Sequence, residues 1–128
     1  MPKPSAVRML FDAPHDEELA RGLRTIEDSI AEFLTFSVSS EDDPAEPARP
    51  ALNGAFALQC SDADAAWTIR DAGLPGTIRH DPGAETGIPT ITATASDLIL
   101  WLYRRIDLET GPVPPDLLAR FQALCFTD

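Results

Sequence analysis

Few residues in this chain have side chains suited to chemistry. His15, His80, Cys60 and Cys125 are its entire imidazole and thiol inventory. A metal site needs such ligands clustered with carboxylates. Neither histidine has a second ligand at helical i+4 spacing, and Asp16-Glu17-Glu18 beside His15 reads as acid placed at a helix N-terminus. No metal and no cofactor are expected. A serine nucleophile wants an elbow such as Gly-x-Ser-x-Gly, which is missing, and His80 sits alone near a turn. Cys60 is followed by Ser61 and Asp62, and that acid disfavours a thiolate. Both cysteines are expected to be buried and free. No catalytic residue emerges.

Arginine and tryptophan offer more. Arg105 follows Trp101 by four residues, so on a helix its guanidinium can lie over the indole, and its planar fork suits a carboxylate. The plainer alternative has Arg105 capping the helix end and pairing with Asp107 or Glu109, with Arg104 turned to solvent. Trp67 and Arg70 share a strand, where Trp67 is either a core aromatic or a ligand platform. The candidate ligand-binding set is therefore Arg105, Trp101, Trp67 and Arg70.

These residues need elements to position them. Ala95 to Ile106 is expected to be a helix, with Ser96 as N-cap, Asp97 in the first turn and Arg104 and Arg105 in the last. Leu98, Ile99, Leu102 and Ile106 share one face, and Leu100 and Trp101 widen the apolar surface. A second helix spans about residues 16 to 36, with Leu19, Leu23, Ile26, Ile30, Phe33 and Leu34 inward and Glu18, Arg21, Asp28 and Glu32 outward. Asp116 is expected to cap a last helix that buries Leu117, Leu118, Phe121 and Leu124. Between them lie strand-like runs at Ala55–Cys60, Ala66–Asp71, Thr77–His80 and Ile88–Ala93, whose short turns suggest a meander.

The remaining segments connect or flank. Residues 1–14 carry three prolines and read as an arm or edge strand around Val7 to Phe11. Residues 39–50 hold three prolines and four acids and read as a mobile acidic loop. Residues 15–128 then make one domain, which suits a chain of 128 residues with 44% hydrophobic side chains. A formal charge of −11, from 21 acids against 10 bases, repels phosphate backbones and anionic lipid. Nucleic-acid and membrane partners are not expected. With no apolar run of signal-peptide or bilayer length, a cytoplasmic protein is.

Three stretches carry a resemblance to a known family. Glu32-Phe-Leu34, Leu58-Gln-Cys-Ser-Asp62 leading to Ala65-Ala-Trp-Thr-Ile-Arg70, and Ile91-Thr-Ala-Thr-Ala-Ser-Asp-Leu-Ile-Leu-Trp-Leu-Tyr-Arg-Arg105 resemble the C-terminal domain of the mycothiol-dependent maleylpyruvate isomerase family. Leu117-Leu-Ala-Arg-Phe121 resembles its closing helix. The resemblance implies an α+β domain like sterol-carrier-protein-2 domains, with an antiparallel-rich sheet of four to five strands packed by about three helices. In the family this domain follows a DinB-like domain that binds the metal and the thiol cofactor, and this chain is expected to lack it. Family enzymes also use an arginine of this domain near the shared active site, and Arg105 is the nearest equivalent. Two departures stand out: Arg104 where a small residue is usual, and Gly111-Pro-Val-Pro-Pro115 where Gly-Asp is usual.

The leading expectation is a stand-alone, non-catalytic binding module for a DinB-like metal-binding partner or a small apolar ligand. One alternative is half of a split thiol-dependent isomerase or transferase, with Arg105 on a carboxylate substrate. Another is an acidic protein-interaction or regulatory domain. A homodimer through an uncovered sheet edge is a further expectation.

Overall fold

The computed structural model describes residues 25–126. The expected arm at 1–14, His15, and the first half of the long helix with Leu19 and Leu23 lie outside them. Within them the order is α1 (Ile26–Phe36), β1 (Ala55–Cys60), β2 (Ala66–Asp71), β3 (Ile78–Pro82), β4 (Thr90–Ala93), α2 (Ala95–Leu102) and α3 (Pro115–Ala123). This is an α+β fold, a four-stranded sheet packed by three helices among the described residues.

Local chemistry sets the helix ends, in places by residues other than those expected. Thr25 caps α1, its hydroxyl accepting from the Asp28 N–H at 3.1 Å. For α2 the cap is Thr94, not Ser96: Thr94 Oγ1 accepts from the Asp97 N–H at 3.1 Å, which places Ser96 inside the first turn. The same helix stops at Leu102 rather than Ile106. Arg104 takes a left-handed φ of 60°, and its N–H bonds to Trp101 O at 2.9 Å while the Arg105 N–H bonds to Leu100 O at 2.8 Å. These two bonds form a Schellman closure, a position usually given to glycine. Arg104 and Arg105 therefore lie beyond the helix, not in its last turn. Asp116 does not cap α3 either, since Pro114 occupies the cap without a side-chain bond. Asp116 instead pairs with Arg120 one turn on, at 3.4 Å.

The sheet order is β3-β2-β1-β4. β1–β2 and β2–β3 are antiparallel, but β4 runs parallel to β1, with Ala57 opposite Thr90 and Cys60 opposite Ala93. The expected meander therefore holds for three strands and fails at the fourth. β1 and β3 run the same way because each is antiparallel to β2, so residues 83–89 carry the chain from one edge of the sheet to the other and return it to the end where β3 began.

Register and alternation divide the sheet into two faces. Phe56, Leu58, Cys60, Trp67, Ile69, Ile78 and Ile91 share one and join the helical residues in a single buried cluster. Phe121 of α3 meets Phe56 edge-on at 5.1 Å and stacks on Trp101 at 6.3 Å. The other face carries Ala57, Thr68, Arg70 and Thr90, and the crossover lies against it.

Residues 39–50 are polar in composition, yet the segment is tied down. Ser39 is fully buried; its hydroxyl donates to Gly76 O at 2.6 Å and accepts from the Ala45 N–H at 3.0 Å. The Ser39 carbonyl also takes the Ile78 N–H of the edge strand at 2.8 Å. At the far end Arg49 donates to the Ala123 and Cys125 carbonyls at 2.7 and 3.2 Å.

Candidate functional site

The four residues singled out from sequence do not converge. Trp67 and Arg70 are three apart on β2, an odd spacing that sends them to opposite faces. Trp67 lies in the core and also borders an open cleft of about 420 Å³ with Gln59, Asp64 and Pro82. Trp101 lies in the same core, stacked on Phe121. Arg105 is exposed in the turn after α2. Among the described residues it has no ion pair with Asp107 or Glu109 and no ring contact with Trp101.

Arg70 belongs to the most organised polar cluster of the described chain. On the open face its guanidinium reaches the carboxylates of Glu85 and Asp81, the latter with Nε–Oδ2 at 3.4 Å. That Nε is buried and off-axis from Asp81, so it has no hydrogen-bond acceptor. Arg79, directly opposite on β3, shares Asp81 at 3.6 Å. Beside them the buried Thr68 hydroxyl donates to Gly83 O at 2.7 Å and accepts from the Glu85 N–H at 3.0 Å. An open cleft of about 270 Å³ is lined by Thr68, Arg70 and residues 81–85. The alternation in Trp67-Thr-Ile-Arg70 signals the faces of β2. Asp81 and Glu85 carried no comparable signal, because their role exists only once residues 83–89 fold back.

Other polar side chains hold backbone. Asp71 accepts from the N–H groups of Leu52, Asn53 and Gly54 at 3.0 to 3.3 Å. Asp62 accepts from Ala95 N at 3.0 Å beside the α2 cap. Arg120 donates to Leu52 O at 2.7 Å, and Arg104 to Gln122 O at 2.9 Å.

The thiols and the imidazole respond mainly to burial. Cys60 and Cys125 are both free and buried. Burial pushes the Cys60 thiol up, and the Glu27 and Asp62 carboxylates push it further in the same direction. Burial lifts Cys125 to about 12 against the opposing charges of Arg104 and Arg49. Neither is an activated nucleophile. Burial also holds His80 below the ordinary histidine value, against the opposing pull of Asp81. His80 lines a third open cleft, of about 200 Å³, with Leu34, Ser40, Glu41, Asp42 and Arg79. Among the described residues no group of three or more His, Cys, Asp or Glu could hold a metal ion.

No family model, curated protein or solved structure matches this chain. Among the described residues no helix is long and apolar enough to cross a membrane.

Proposed function

We propose that this chain is a non-catalytic α+β binding module, related to the C-terminal domain of the mycothiol-dependent maleylpyruvate isomerase family, that docks on a separate DinB-like metal-binding protein. The family relation is an analogy drawn from the sequence stretches quoted above. One observation carries the functional reading. Of the charged side chains ordered in the fold, Arg49, Asp62, Asp71, Arg104 and Arg120 hold backbone groups, and Arg70 is taken up by the carboxylates of Asp81 and Glu85.

A protein partner fits better than a small apolar ligand held between sheet and helices. That space is filled by Ile30, Phe33, Phe56, Leu58, Ile69, Leu98, Phe121 and Leu124, each at most 1% exposed. Large apolar side chains are instead exposed on and beside α1 and α2, with Phe36 at 70%, Tyr103 at 44% and Leu100 at 41%. Exposed aromatics of this kind suit a protein contact. The test mixes the chain with a DinB-like protein from the same genome and follows the mass of the species by light scattering. A one-to-one complex that Phe36→Ser weakens about tenfold or more is expected. Turnover of a substrate by the isolated chain would overturn the reading.

The exposure of Arg105 favours a second reading, in which the complex is a split thiol-dependent enzyme and Arg105 meets a carboxylate substrate. Arg105→Lys and Arg105→Ala should then abolish turnover by the complex while leaving the chain's melting temperature unchanged.

A further inference from the structure

We infer that Arg70 forms an anion-binding site on the open face of the sheet, and that Glu85 is a built-in, displaceable carboxylate occupying it. The chemistry is on display in the Arg70–Glu85 pair itself, since a guanidinium fork takes one carboxylate as readily as another.

Three features set this pair apart from an ordinary surface ion pair. The guanidinium is held in place: its side chain is 27% exposed and Asp81 steadies it from β3. It also keeps an unsatisfied, buried Nε–H, a donor for which a better-placed acceptor would compete. The Glu85 side chain, by contrast, is 56% exposed and gives little up on leaving. Its backbone stays behind, because the Thr68 hydroxyl holds both Glu85 N–H and Gly83 O. Gly83 and Gly87 bracket the segment at φ of 89° and 87°, left-handed values that let it turn sharply at both ends.

Charge counting gives the ligand's sign. Arg70 and Arg79 face Asp81 and Glu85, so the cluster is balanced with Glu85 in place and carries one excess positive charge when it swings out. The adjoining cleft, of about 270 Å³, gives a small carboxylate room beside the guanidinium. The ligand class is a carboxylate, and Glu85 is its tethered competitor.

Succinate is the probe, and the Arg70 Nε–H resonance in a proton–nitrogen correlation spectrum is the readout. A tether this short presents Glu85 at millimolar effective concentration, so removing its carboxylate should lower the apparent Kd for succinate about fivefold or more. Glu85→Ala and Glu85→Gln should both do so, with the Thr68 and Gly83 amides moving in parallel and the Arg105 Nε–H still. Should either variant lose the native spectrum, Glu85→Asp, one methylene shorter, supplies the comparison. Equal apparent affinity in the parent and the variants would overturn the assignment. So would a response confined to Arg105, or one reproduced by sodium chloride at matched ionic strength. Loss of partner binding would sink the docking proposal and leave this one standing.

Discussion

The two faces of one sheet are held by different forces. On the helical side, Phe56, Leu58, Ile69 and Ile91 are stabilised by removal from water and by contact with Phe121, Trp101 and Leu98. On the open side, Ala57 and Thr68 are equally buried, yet what covers them is a seven-residue segment fastened by one hydroxyl, one guanidinium and a backbone bond at each end. Burial alone does not reveal which force is at work. The helical face owes its stability to area and shape, so it is costly to damage and indifferent to salt. The open face depends on a few directional contacts, so it is cheap to loosen and sensitive to solution conditions.

Substitutions should separate the two, and the largest effect belongs to the core. Phe121→Ala removes the ring that joins Phe56 to Trp101 and should cost about 3–5 kcal/mol, read from urea unfolding with an unchanged m-value.

The alkaline limb of stability should come next, also from the helical side. Native Cys125 titrates near 12 against an ordinary value of 9.0. Between those pH values the unfolded chain has lost the proton that the native chain keeps, so stability falls as pH rises. The slope from this one thiol is at most about 1.4 kcal/mol per pH unit. Cys125→Ala should flatten that limb; an unchanged limb would show that this thiol does not set it.

On the open face, Thr68→Val keeps the shape but strands the Gly83 carbonyl and the Glu85 N–H. A loss of about 1–2 kcal/mol is expected, with faster amide exchange confined to residues 83–89. Exchange that accelerates equally in β1 would mean the two faces are one cooperative unit, and the distinction would fail. The smallest effect is expected from Glu85→Ala, below about 1 kcal/mol and vanishing in molar salt as the exposed pair is screened.

Much of the fold was legible because it is written in neighbouring residues. The ends of β1 and β2 follow from Ala55–Cys60 and Ala66–Asp71 flanked by turn residues, and helical spacing gives the inner face of α3 and, in α1, Ile30, Phe33 and Leu34, whereas Ile26, also expected inward, is exposed. The misreadings share a cause. Ser96 and Asp116 were reasonable caps by residue type, but Thr94 and Pro114 hold those positions because the preceding chain arrives from β4 and from the proline turn. Arg104 gave no sign of ending α2, since the left-handed turn there is made by backbone bonds to Leu100 and Trp101 rather than by a glycine. For the site, Arg70 was visible as a candidate and its partners were not, because Glu85 is fifteen residues away and meets it only through the crossover.

The sequence by itself determined which runs become helix or strand, and it gave the expectation that both cysteines are buried and free. Periodicity and turn chemistry act within a few residues, so they can be read in one dimension. Tertiary structure alone decided that β4 joins the far edge in parallel, that Trp67 and Trp101 are core while Arg105 is exposed, and that Arg70 finds Glu85. Those outcomes depend on how distant segments share one hydrophobic layer, and local spacing does not encode that sharing.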